Sequence, residues 1–90
     1  MLENFEAYLI QEGYSQETPV GNPSTAYDYR KRINQICERE GVSPEDLALN
    51  IDDYVRKYDT HGEEAEFGAS SHRANINALR RFNEFINIQN

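Results

Sequence analysis

The stretch Ser70–Ile86 (SSHRANINALRRFNEFI) decides how the rest of this chain reads, because its apolar and charged residues separate by angle. At about 100° per residue, Ile76, Leu79, Phe82 and Ile86 fall on one side of a helix. Arg73, Asn77, Arg80, Arg81 and Glu84 fall within roughly a third of a turn on the other side. Three arginines and an asparagine on an outward stripe are a candidate surface for phosphates and base edges. The stripe is the more notable because the whole chain carries a net charge of −7.

Immediately upstream, residues 61–68 (HGEEAEFG) read as an acidic loop bounded by glycines, with Ser70 or Ser71 capping the last helix. Before that loop, Ile51, Tyr54, Val55 and Tyr58 have helical apolar spacing, with Asn50 or Asp52 as cap. Ser43-Pro44-Glu45-Asp46 is a compact helix start: a capping serine, proline at the first helical position, then acids at the positive end of the dipole. It leads into a short helical turn through Leu47 and Leu49.

Further out, a second helix starts at Ser24 or Thr25, runs to Glu40 and stops at Gly41. Its expected buried side is Ala26, Tyr29, Ile33, Ile36 and Cys37. Tyr27, Lys31 and Asn34 lie opposite, beside a row of Asp28, Arg32, Gln35 and Arg39. Asp28 and Arg32 form an i,i+4 pair. The first helix spans about Leu2 to Glu12, with Leu2, Phe5, Tyr8 and Leu9 inward and Gly13 as its stop. Two prolines and a glycine make Tyr14–Pro23 a loop. The expected fold is therefore all-α: four helices plus a short helical turn, in one domain over residues 1–90.

Segment charges show where the cations are. Residues 1–23 sum to −4 and 41–69 to −6, while 24–40 sum to +1 and 70–90 to +2. A nucleic-acid footprint, which draws on Lys and Arg, would have to come from the second and last helices. The opening MLENFEAYLIQEG is too polar and acidic for a signal peptide, and no window approaches the roughly 18 apolar residues of a membrane span. The single Cys37 excludes an internal disulfide and fits a reducing cytosol. The expected address is cytoplasmic, with no membrane partner.

The order of elements resembles a known family. An opening helix (Phe5 to Leu9) ends in Gly13. A helix begins at Thr25 with Tyr29 four residues on, then Ile33 and Ile36. A short turn at Leu47 precedes Ile51, Tyr54 and Val55, and a last helix reads Ile76-Asn77-Ala78-Leu79-Arg80-Arg81-Phe82. This set is similar to the N-terminal core-binding domain of tyrosine recombinases, the phage integrases and their relatives. That domain is a small four-helix module of SAM-like fold that precedes the catalytic domain. The resemblance covers about residues 2–86.

It implies a domain that lays its second and fourth helices across the major groove of double-stranded DNA. The implied contacts are Thr25, Tyr27 and Lys31 on the second helix, with Arg73, Asn77, Arg80 and Arg81 on the fourth. A recombinase catalytic domain in the full-length protein is the implied partner. The arginine–histidine–arginine cluster and nucleophilic tyrosine of that domain have no counterpart here, so no catalysis is expected of this chain.

Other chemistry finds little footing in the sequence. His61 and His72 are eleven apart, without a Cys-x-x-Cys or His-x-x-x-His. Glu63, Glu64 and Glu66 lack the oxygen spacing of a calcium loop. Neither a nucleophile elbow nor a glycine-rich phosphate loop is present. The chain is expected to need no cofactor or metal. A function of a different class fits the charge as well: an acidic helical protein–protein interaction module built on residues 45–66, without nucleic acid.

Overall fold

The computed structural model describes residues 1–14 and 25–89. Those residues form five α-helices and no strand: α1 (Leu2–Gln11), α2 (Thr25–Glu40), α3 (Pro44–Leu49), α4 (Ile51–Tyr58) and α5 (Ala65–Gln89). The architecture is the expected all-α bundle, with α3 as the short turn. The loop expected at 14–23, Tyr14 apart, and the Ser24 cap lie outside the described residues. No helix among those described is long and apolar enough to cross a membrane.

Helix boundaries follow from local chemistry. Gly13 (φ +101°) and Gly41 (φ +70°) supply the left-handed residues that end α1 and α2. At each, the following amide bonds back to a carbonyl five residues earlier: Tyr14 to Leu9 and Val42 to Cys37, both at 3.0 Å. Ser43 caps α3, its hydroxyl accepting from the Asp46 amide at 3.1 Å. Asn50 stands at the start of α4, but its side chain does not cap that helix. The Asn50 side-chain amide donates instead to the Asp46 carbonyl at 3.3 Å and closes α3.

α5 touches each of the other four helices. Ile76, Leu79 and Phe82 are buried as expected, joined by Ala78 and Phe85. They meet Phe5 and Leu9 of α1, Ala26, Ile33, Ile36 and Cys37 of α2, Leu47 of α3, and Ile51 and Tyr58 of α4. Phe5 is the centre of an aromatic group, edge-on to Phe82 at 5.1 Å between centroids and tilted to Phe85 at 5.6 Å. Tyr29, Tyr54, Val55 and Ile86 are half-buried at the margin of this core. Burial pushes the Cys37 thiol up to about 11, so the group packs as a small apolar residue with no thiolate at neutral pH.

The largest departure from expectation lies at the start of α5. Residues 65–68, expected as loop, are helical. Phe67 anchors this turn: its ring stands edge-on to Tyr58 at 5.9 Å, and the Arg39 guanidinium lies 4.2 Å from its centroid. Gly68 permits the approach, since a Cβ there would strike the Tyr58 carbonyl. The helix is then interrupted. Ser70 is extended, and Ser71, His72 and Arg73 are left-handed, at φ 54°, 59° and 66°. Ser70 does not cap the second part of α5. Its hydroxyl donates backward to the Phe67 carbonyl at 2.7 Å.

Asn75, 2% exposed, holds this break in place. Its amide donates to the Phe67 carbonyl at 3.0 Å and to the Ser70 hydroxyl at 2.9 Å. Its carbonyl accepts from Arg32 of α2 at 3.2 Å, and Arg32 also holds Asp28 at 2.9 Å. Removing the amide strands a carbonyl and a guanidinium N–H in a part-buried site. Asn75→Ala is expected to destabilise the fold by about 1–3 kcal/mol, read as a lower midpoint in urea unfolding followed by circular dichroism.

A second polar tie joins the end of α2 to the end of α4. Glu40 accepts from Tyr58 Oη at 2.6 Å and from Lys57 Nζ at 2.9 Å. Burial pushes the Glu40 carboxyl up, but the Tyr58 hydroxyl, Lys57 and Arg39 outweigh it and hold the group below its ordinary 4.5. A depressed carboxylate contributes stability above its unfolded value, and that stability is lost as pH falls through the folded value. Unfolding free energy is expected to decline as pH drops below 4.5, with part of the decline absent in Glu40→Gln. Urea titrations at a series of acidic pH values check this.

Candidate nucleic-acid interface

The seven candidate contacts fall into two groups. Thr25 begins α2 and is exposed, as are Tyr27 and Lys31 further along. Tyr27 and Lys31 share a shallow hollow with Leu2 and Glu3 of α1 and with Arg30 and Asn34. Arg30 is 39% exposed but engaged within the bundle. It holds Glu6 of α1 at 2.7 Å, with the Tyr27 ring 6.0 Å away. Lys31 differs from the other eight Lys and Arg residues: among the described residues it alone has no carboxylate within 4.0 Å.

The α5 group gathers at the end of α4. Arg80 holds Asp59 at 2.8 Å, and Arg73 approaches the other oxygen of the same carboxylate at 4.0 Å. Arg73 does so from the left-handed turn, so it does not share a helical row with Arg80 as the spacing suggested. The two arginines remain 47% and 41% exposed. The Arg80 hydrogen bond, with help from the Thr60 amide, lowers the Asp59 carboxyl below its ordinary range. Arg56, Thr60 and His61 complete the surrounding hollow, where Arg56 pairs with Asp53. Asn77 is half-buried on the same helix.

Arg81 departs most from expectation. One terminal nitrogen donates to the Tyr14 hydroxyl at 3.3 Å, and the other pairs with Glu84 at 3.0 Å. Its Nε is buried without a partner. The Tyr14 ring lies 5.7 Å from that of Tyr29, so the chain leaving α1 folds against this arginine. Arg81 lies about 40° from the buried Phe85 at 100° per residue, as Arg80 does from Ile76, and what sets Arg81 apart is Tyr14, whose hydroxyl it meets. Arg81 serves as a packing residue, so truncating it would disturb the fold.

The structure therefore brings Arg73 and Arg80 together, and Tyr27 with Lys31, but does not join the two groups. Their hollows share no residue, one opening beside α1 and the other beside the end of α4. α2 and α5 do pack side by side, linked through Arg32 and Asn75. Ion pairs fragment the positive surface between them. Arg39, 44% exposed, is likewise paired, bound to Glu64 at 2.5 Å and lying over Phe67. Sequence reasoning missed Asp59 as the acid that organises the α5 arginines, since it lies 21 residues from Arg80. Among the described residues, no group of three or more His, Cys, Asp or Glu side chains is placed to hold a metal ion.

No protein-family model, curated protein or solved structure matches this chain.

Proposed function

We propose that this chain docks on double-stranded DNA through α2 and α5, as the core-binding arm of a tyrosine-recombinase-type integrase. It acts in the cytoplasm beside a catalytic domain of the full-length protein. Its own part is binding and orientation, with strand cleavage left to that second domain. One observation carries the proposal: a single carboxylate, Asp59, is shared by two half-exposed arginines, Arg73 and Arg80. The cluster keeps a surplus positive charge.

Solvent-exposed ion pairs contribute only about 0–1 kcal/mol. Exchanging Asp59 for phosphate oxygens therefore costs little, while the counterions released from the duplex favour binding. Lys31 supplies a third cation from α2. With three phosphate contacts, the logarithm of affinity is expected to fall against the logarithm of salt with a slope of about −2.7.

Fluorescence anisotropy of a labelled duplex, titrated at several salt concentrations, tests the proposal. Saturable binding of micromolar or weaker affinity at about 50 mM salt, with that slope, is the expected result. Binding that ignores salt, or no binding at the lowest salt, would overturn it.

A second reading, a protein-interaction module without nucleic acid, is favoured by the ion pairing itself. Every Lys and Arg except Lys31 has a carboxylate within 4.0 Å among the described residues. A negative anisotropy experiment selects it.

A further inference from the structure

The end of the bundle where α1 begins and α5 finishes holds an apolar groove of about 620 Å³. Met1, Ala48, Leu49, Phe85 and Ile86 line it, with Asn4 and Glu45 as its polar residues. Leu49 is 82% exposed, and Ile88, just beyond on α5, is 63% exposed. An isolated exposed leucine needs no explanation, but one standing over a groove of this size forms part of a contiguous apolar surface.

The one charged side chain that lines the groove is acidic, Glu45. The three stretches that supply its residues, 1–14, 41–55 and 82–90, contain eight carboxylates, of which Glu3, Glu6, Asp53 and Glu84 are paired with cations. Glu45 and Asp46 have no ion pair among the described residues. The Met1 ammonium is held by Glu3 at 3.6 Å. α5 ends here without a basic residue in its last turn, so the negative end of its dipole is uncompensated.

We propose that this groove binds an amphipathic α-helix of a partner protein, its apolar side entering against Leu49, Phe85 and Ile86 and its flanks carrying Lys or Arg. Charge complementarity selects the cationic flanks. A helix satisfies its own amides and carbonyls and asks of the groove only an apolar wall, which Leu49, Phe85 and Ile86 supply. The surface is separate from Lys31, Arg73 and Arg80, so it stands whether or not the chain binds DNA.

The test uses a synthetic amphipathic peptide of Leu and Lys, about 14 residues long, titrated into the ¹⁵N-labelled chain and measured in parallel by calorimetry. Saturable binding is expected, with shifts centred on Asn4, Ala48, Leu49, Phe85 and Ile86. Leu49→Lys, on an exposed side chain, should weaken the affinity by at least about tenfold. Glu45→Lys should weaken it severalfold, and Glu63→Lys should leave it unchanged. Shifts centred on residues 59–66, or equal affinity in Leu49→Lys, would overturn the proposal. So would concentration-dependent shifts of the groove residues without peptide, since a second copy of the chain would then be the occupant.

Discussion

Alanine at both Arg73 and Arg80 is expected to weaken duplex DNA binding by at least about tenfold at low salt, with the fold intact. The salt slope should shrink by about 0.9 for each phosphate no longer neutralised. Both side chains are substantially exposed, and their common partner is one carboxylate that is itself 32% exposed. The stability change expected for such surface pairs is within about 0.5 kcal/mol. Freeing Asp59 adds a repulsive charge at the same place, so affinity should fall further than the removal of two cations alone would bring. Asp59→Asn should act in the opposite direction and tighten binding, because it releases both arginines. Arg81→Ala is a poor companion in this experiment. Its side chain is wedged under Tyr14 beside Glu84, so weaker binding there would mix unfolding with any direct effect on DNA.

The second large effect is on stability. Phe82→Ala is expected to cost about 3–5 kcal/mol. Phe82 is fully buried and meets Phe5 edge-on at 5.1 Å and Phe85 at 6.1 Å. Truncation leaves a cavity bounded by helices that also pack elsewhere and cannot close over it. A domain of this size has a total stability of roughly 5–15 kcal/mol. The variant is thus expected to lose a third or more of its margin, or to unfold outright. Urea unfolding monitored by circular dichroism measures this. A midpoint close to that of the parent chain would mean that α5 does not organise the core.

Both expectations depend on α5, and much of α5 was legible in the sequence. Angular sorting placed Ile76, Leu79 and Phe82 inside and Arg80 outside because a regular helix obeys its own period. Gly41 and the Ser43-Pro44 pair marked the α2–α3 junction because each acts on its immediate neighbours. The helical turn at 65–69 was not legible. Five residues are too few to show a period, and the groups that fix them are distant: Tyr58, Arg39 and the approach permitted at Gly68.

Asn75 was missed for a related reason. An asparagine in a helix reads as a surface residue, and only a broken turn at Ser70–Arg73 creates the carbonyl and hydroxyl that it satisfies. The charge sums failed differently. They placed the cations in two segments correctly, yet a sum over neighbours along the chain takes no account of partners across space. Arg80 finds Asp59 from 21 residues away, and Arg39 finds Glu64 from 25. A footprint drawn from the second and last helices was expected, and the structure holds their cations in two separated clusters.

The most direct measurement is an amide chemical-shift titration of the ¹⁵N-labelled chain with a short DNA duplex at low salt. The expected result is a set of shifts confined to α2 around Lys31 and to α5 around Arg73, Asn77 and Arg80. Those shifts should fade together as salt is raised. Silence at those positions, or shifts only along α1 and α3, would contradict DNA docking by these two helices.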